Sequence, residues 1–164
     1  MVQKPLLAML AFALAAMALP AAAQPVLPNM SGSWQFSLMP NGSSNSIAAL
    51  GTFTTDGSVV ETDESNLAPL SFGTGRTLYS STTGHGIWQP GPAISRLYIQ
   101  ITSLVSKRAG AYSGKRVLTI TGGLDSTGNN FSGAYTVQFT ETNGQTQTAT
   151  GNVTGQKMVH PLLP

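Results

Sequence analysis

Three side chains in the middle of the chain are suited to proton transfer: Glu61, Asp63 and His85. Histidine titrates near neutral pH and a neighbouring carboxylate can orient it, so these residue types point to an acid/base pair. They are the candidate catalytic residues. The alternative is a histidine at the rim of the fold that bonds only to the backbone or to a single acid.

The sequence offers little for metal or cofactor chemistry. It contains no cysteine, so disulfides and thiolate metal ligands are excluded. A site built from one histidine and two carboxylates would need all three to converge, and we predict no metal site. No G-x-S-x-G nucleophile motif is present. The glycine-rich segment 71–76 lacks the Lys-Ser/Thr ending of a phosphate-binding loop. We therefore predict no cofactor and leave open whether the protein is an enzyme.

Charge is sparse, at 9% of residues, with eight basic and six acidic side chains. One basic residue, Lys4, lies in the leader described below, which leaves seven basic residues against six acidic ones. A nucleic-acid-binding protein needs a dense basic face, so nucleic acid is excluded as a partner. The main basic cluster indicates either an anionic partner, such as a lipid head group or a polyanion, or simply a solvated hairpin tip. It comprises Lys107, Arg108, Lys115 and Arg116.

The first 23 residues have the anatomy of a secretory signal peptide. One early charge is followed by an apolar run over residues 5–18 and by Ala21-Ala22-Ala23, a small-residue cleavage site. The run is short and alanine-rich for a membrane span, which needs about 20 apolar residues. We predict cleavage after Ala23, no transmembrane segment thereafter, and a secreted or periplasmic bacterial protein. A proline-containing lead-in (24–31), one domain (32–157) and a C-terminal tail (158–164) then follow.

The sequence of the domain predicts a series of short β-strands. Residues 32–39 and 131–140 alternate between apolar and polar side chains, which is typical of strands with one buried face. Asp56-Gly57 and Asn143-Gly144 are hairpin turns. We predict a single antiparallel up-and-down β-barrel of about eight strands, with a β-sandwich as the alternative. The predicted strands are 32–39, 47–55, 58–63, 85–89, 94–105, 117–121, 131–140 and 145–155.

Up-and-down order fixes which connections share an end of the barrel. The turns near residues 56, 91 and 126 are short and form a closed end, whereas three of the four opposite connections are long and form a mouth. Trp34 then lies at the closed end, while Glu61, Asp63 and His85 come together at the mouth. Segment 64–83 is either a flap or contains an edge strand at 76–80. Four aromatic residues are candidates to line a ligand cavity, although strand aromatics are usually plain core: Trp88, Tyr98, Tyr135 and Phe139.

The motif Gly32-Ser33-Trp34 on the first strand resembles the G-x-W signature of the lipocalins and the wider calycin group. That resemblance implies an eight-stranded barrel holding a small apolar ligand, with Trp34 packed at the closed end against a cation. Lys157 would supply that cation through a cation–π contact. Residues 50–62 together with 84–88 are similar to a group of small exported bacterial proteins of uncharacterised function.

Three functions follow from this interpretation. The first is a secreted or periplasmic barrel that binds a small apolar or amphipathic molecule. The second is an enzyme of the isomerase or cyclase type, like the allene oxide cyclase barrels, which needs a shaped cavity rather than a nucleophile. The third is an interaction module whose mouth loops contact an envelope component. A cavity larger than roughly 300 Å³ would support the first two, and a filled interior would remove them.

Overall fold

The computed structural model describes residues 28–66, 70–71, 78–91, 96–107 and 110–159, and these form an all-β domain. The predicted signal peptide, its cleavage site and most of the C-terminal tail lie outside the described residues. Among the described residues there is no helix long and apolar enough to cross a membrane.

Ten strands and one short 3₁₀ turn make up the described fold. The 3₁₀ turn, Glu64–Asn66, follows the third strand. The strands are β1 (Gly32–Pro40), β2 (Ile47–Phe53), β3 (Ser58–Asp63), β4 (Leu70–Ser71), β5 (Leu78–Ser81), β6 (Gly84–Pro90), β7 (Arg96–Lys107), β8 (Tyr112–Leu124), β9 (Asn130–Glu141) and β10 (Thr146–Lys157).

Eight of these strands close into an antiparallel barrel. The ring runs β1–β2–β3–β6–β7–β8–β9–β10, and β10 pairs with β1 to complete it. The predicted barrel is therefore confirmed, and the sandwich alternative is wrong. Closure pairs the backbone groups that the two edge strands of a sandwich sheet would leave open.

The two short strands extend one side of the barrel. β5 pairs with the far end of β7, beyond the part of β7 that pairs with β6, and β4 pairs with β5. Of the two alternatives for segment 64–83, the edge strand is thus the correct one. By contrast, β8 begins at Tyr112, five residues before the predicted start at 117.

The closed end is packed around Trp34, as predicted. Its indole Nε1 donates a hydrogen bond to the Met30 carbonyl at 2.8 Å, and both residues are fully buried. Trp34 stacks on Phe36, with ring centroids 6.1 Å apart. Trp88, on β6, donates its Nε1 hydrogen to the Thr54 carbonyl at 2.8 Å. Both indole groups near the floor of the barrel are therefore satisfied by backbone carbonyls, as buried tryptophans usually require.

Inward-facing residues of β7 mark successive levels of the interior. Leu97, Ile99 and Ile101 belong to the main apolar cluster, which reaches from the closed end to the middle of the barrel. Ser103 is the next inward residue and is polar. Val105 then packs in a second apolar cluster with Tyr79 and Phe139, nearer the mouth. A polar layer is therefore enclosed between two apolar ones.

Candidate functional site

The polar layer contains three buried charged side chains, which we call the interior ion cluster: Glu61, Asp63 and Arg116. The Arg116 Nη2 atom donates to Glu61 Oε2 at 3.1 Å, and Nη1 donates to Asp63 Oδ2. The Arg116 Nε atom donates to the Ser103 hydroxyl at 3.0 Å. One guanidinium thus holds two carboxylates and a hydroxyl, with its planar fork facing two separate acceptors.

Strand alternation explains why these charges point inward. On β3, the buried positions are Val59, Glu61 and Asp63, and on β8 Arg116 shares its face with Leu118 and Ile120. The sequence analysis predicted Arg116 on an exposed basic loop. That prediction is wrong, because Arg116 is buried on β8. The spacing of two residues between Arg116, Leu118 and Ile120 could have predicted that Arg116 faces inward.

A glycine on β6 makes room for the cluster. A Cβ atom on Gly84 would lie 3.1 Å from Glu61 Oε2 and 2.5 Å from Ile101 Cγ2. Gly84 is the direct partner of Glu61 in the β3–β6 register. The carboxylate of Glu61 therefore occupies space that any larger residue at position 84 would fill.

Two buried serines extend the cluster toward the mouth. The Ser65 backbone N–H donates to Asp63 Oδ1 at 2.9 Å, and the Ser65 hydroxyl donates to the same oxygen. The Ser65 hydroxyl also bonds to the Ser81 hydroxyl. Asp63 therefore connects Arg116 to Ser65, which follows β3, and through Ser65 to Ser81, the last residue of β5.

The charges of the cluster do not balance. If both carboxylates are ionised, two negative charges face one positive charge in a dry interior. Burial raises the pKa of Glu61 to about 7; the Asp63 carboxylate adds to that increase and the Arg116 guanidinium opposes it. Glu61 Oε1 is, among the described residues, the one buried side-chain oxygen or nitrogen without a hydrogen-bond partner.

His85 lies on the opposite side of the barrel wall from these carboxylates. It is exposed on the outer face of β6, between Val60 and Thr102 on the neighbouring strands. Glu61 and Asp63 face the interior. The structure therefore brings the two carboxylates together but does not bring His85 to them.

Three of the four aromatic residues proposed for ligand binding pack in the interior. Trp88 and Tyr135 belong to the main apolar cluster, and Phe139 contacts Tyr79 with ring centroids 4.9 Å apart. Tyr98 lies on the outer face, where its hydroxyl accepts a hydrogen bond from Gln100 Nε2 at 3.1 Å. Side chains thus occupy every level of the barrel interior that the structure describes.

Lys157 sits beside Trp34 in the β1–β10 register, as the resemblance to lipocalins implied. Its aliphatic stem passes Gly32, where a Cβ atom would lie 2.9 Å from Lys157 Cε. Gly32 has φ of +119°, a conformation that other residues rarely adopt. The expected cation–π contact between Lys157 and Trp34 stays a prediction.

Three neighbouring clefts lie at the surface of the barrel. One of about 390 Å³ is lined by residues that include Arg96, Asp125 and Asn130. A second of about 350 Å³ shares Asn130 and continues to Gln35. A third of about 260 Å³ shares Gln35 and ends at the apolar side chains of Ala48 and Leu50. We call this connected series the outer groove.

The floor of the outer groove follows from strand register. Small outward-facing residues on five adjacent strands lie side by side, and a row of amides runs parallel to them. Neighbouring strands are about 4.8 Å apart, so five strands give a floor roughly 19 Å long. The small residues are Gly123, Ser132, Thr154, Ser37 and Ala48, and the amides are Asn130, Gln156 and Gln35.

No family model, curated protein or solved structure matches this chain. Among the described residues, no group of three or more histidine, aspartate and glutamate side chains is arranged to hold a metal ion. The site is therefore interpreted from its own geometry.

Proposed function

We propose that this protein is an exported binding module that holds an amphipathic envelope component in its outer groove, on the outside of the barrel. The observation that carries the proposal is the adjacency of the three clefts: Asn130 lines the first and the second, and Gln35 lines the second and the third. Export rests on the signal peptide that the sequence predicts for residues 1–23.

The chemistry of the groove changes along its length. Arg96 and Asp125 lie at one end, and amides and hydroxyls line the middle. At the far end the apolar side chains of Ala48 and Leu50 lie beside Glu64. Amides and hydroxyls both donate and accept hydrogen bonds, which suits a neutral polar group such as a sugar. A ligand with a polar head and an apolar tail therefore fits the groove with its head among the amides and hydroxyls and its tail toward Ala48 and Leu50.

The side chains that pack in two clusters inside the barrel favour the outer surface over a lipocalin-type cavity. Small-molecule sites are usually concave spaces of about 300–1,000 Å³, and the clefts that approach this range lie outside the barrel. The isomerase or cyclase alternative depends on an interior cavity and gains no support from the described residues.

The test compares two arginine substitutions on the outer face of β10. Thr154→Arg places a large charge in the middle of the groove, whereas Thr148→Arg places it on the same strand outside the groove. Both positions are exposed, so both variants should fold. Dodecyl maltoside, below its micelle concentration, provides a neutral sugar head and an apolar tail.

We expect calorimetric titration to show saturable binding to the wild type and to Thr148→Arg. Binding to Thr154→Arg should be at least roughly tenfold weaker, because the added side chain fills the groove and buries an unpaired charge. Equal affinity of the two variants, or no binding to the wild type, would count against the outer groove as the binding surface.

A further inference from the structure

The interior ion cluster contains a carboxylate oxygen, Glu61 Oε1, without a hydrogen-bond partner. With both carboxylates ionised, the cluster carries a net charge of −1. Only 4% of the Glu61 surface is exposed to solvent, and its Oε1 atom has no hydrogen-bond partner. An unpaired charge in a dry interior is costly, and a buried group commonly avoids that cost by changing its protonation state. The geometry therefore favours a proton on Glu61.

The groups around Glu61 come from its own strand, β3, and from β8, β7 and β6. Asp63 lies on the same strand, Arg116 reaches across from β8, and Ser103 approaches on β7 through its bond to Arg116. On β6 the facing residue is Gly84, which has no side chain, while His85 points to the outer face. Among these groups, Glu61 is the one whose second oxygen has no partner.

The cluster is also connected to the mouth of the barrel. Asp63 accepts two hydrogen bonds from Ser65, and Ser65 bonds to Ser81, three residues before β6 begins. Next to Ser81 along β5, Tyr79 packs on Phe139 and donates its hydroxyl hydrogen to Glu141 Oε1 at 3.2 Å. A change of charge at Glu61 is therefore transmitted to Asp63 through their common partner, Arg116.

We propose that Glu61 is a protonation switch that controls how firmly the mouth of the barrel is held closed. With a proton on Glu61, the cluster carries no net charge, and Asp63 holds Ser65 and Ser81 together. Loss of that proton leaves two carboxylates competing for one guanidinium. Water must then enter the polar layer, and it enters at the mouth, where Ser65 and Ser81 meet.

Hydrogen exchange measured by NMR at pH 6 and pH 8 tests this inference. The Thr82 N–H, which donates to the Leu104 carbonyl at 2.9 Å, reports on the mouth. The Lys157 N–H, which donates to the Asn129 carbonyl at 2.9 Å, reports on the closed end. After correction for intrinsic base catalysis, protection of Thr82 should fall about tenfold between these pH values, given the linkage between opening and ionisation. Protection of Lys157 should fall by no more than the global free energy of unfolding does over the same pH range, whereas Thr82 should exchange through a local opening of lower free energy.

Two variants give the control. Glu61→Gln keeps the shape of the side chain and cannot ionise, so protection of Thr82 should become independent of pH. Glu64→Gln removes a nearby exposed carboxylate and should behave like the wild type. Protection of Thr82 that is equally pH-dependent in Glu61→Gln would overturn the proposal.

A direct titration keeps the proposal falsifiable if Glu61→Gln does not fold. The ¹³C chemical shift of the Glu61 carboxyl in the wild-type protein should change with a midpoint near neutral pH. A midpoint at or below the ordinary glutamate pKa of 4.5 would show that Glu61 is ionised at pH 6 and pH 8 alike and would overturn the inference.

Discussion

Arg116 Nη2 lies 3.1 Å from Glu61 Oε2 inside the barrel, although 55 residues separate the two in the chain. The same guanidinium also holds Asp63, so one cation joins β8 to β3 across the interior. The two strands are not neighbours in the ring, and this ion pair therefore fixes their positions independently of backbone pairing.

Arg116→Met should be strongly destabilising. It removes the cation and leaves Glu61 and Asp63 buried without a counter-charge, which typically costs about 3–5 kcal/mol. Urea unfolding at pH 8 measures the loss. Adding Glu61→Gln and Asp63→Asn should recover a large part of it, because no unpaired charge then remains. A triple variant as unstable as Arg116→Met would contradict this explanation.

Global stability should decrease as the pH rises from about 4.5 to about 7. The pKa of Glu61 is about 7 in the folded state and has its ordinary value of 4.5 when unfolded. The folded state therefore binds more protons in this window, and stability falls with pH by up to about 3 kcal/mol. Urea midpoints of the wild type and Glu61→Gln at pH 5 and pH 8 give the comparison.

Glu61→Gln should be less sensitive to this pH change and more stable than the wild type at pH 8. Repeating the comparison in a His85→Asn background should leave the difference intact, because His85 lies on the outer face and does not contact the ion cluster. Parallel pH profiles for the wild type and Glu61→Gln would show that Glu61 is ionised throughout.

Gly86→Ala should prevent normal folding or cost several kcal/mol. A Cβ atom at this position would lie 1.9 Å from the Gln100 carbonyl oxygen, so the β6–β7 ladder would have to separate. Gly144→Ala is the matched control, since its Cβ meets nothing within 4 Å and only the φ of +86° is unfavourable. Its cost should be close to 1 kcal/mol. Similar unfolding midpoints for the two variants would contradict the tight packing at Gly86.

Substitutions of His85 and Trp88, both on β6, should have very different effects on stability. His85→Ala should change stability by less than about 0.5 kcal/mol, because the residue is exposed on the outer face. Trp88→Phe should cost about 2 kcal/mol, since the Thr54 carbonyl loses its indole donor. A large effect of His85→Ala on stability would reveal a contact that its exposed position does not suggest.

Much of the fold could be predicted from alternation and turn chemistry. The period of two in β1 and β9, together with Asp56-Gly57 and Asn143-Gly144, was enough to predict the barrel, its two ends and the position of Trp34. These features are local, so each can be recognised without knowledge of the rest of the chain.

The ion cluster could not be predicted in the same way, because it depends on pairing between distant strands. Arg116 sits in a polar stretch that looks like a loop, and only the carboxylates on β3 make its burial favourable. The alternation of side chains along β6, however, could have predicted which face His85 occupies. Trp88 faces inward and lies three positions away, so His85 must face outward.

The outer groove depends on register, which a single sequence does not show. Thr154 and Ser37 are adjacent only because β10 closes onto β1, and Ser132 joins them through the pairing of β9 with β10. Each is an unremarkable small residue on its own strand, and the groove exists only after the barrel has closed.

An NMR amide map with dodecyl maltoside tests the central claim of an outer binding surface and a filled interior most directly. The account predicts that the shifts concentrate on Gln35, Ser132, Thr154 and their neighbours, while the indole signals of Trp34 and Trp88 stay unchanged. Shifts centred on those indoles and on Tyr135, with the outer groove unaffected, would show that the ligand enters the barrel and would contradict the account.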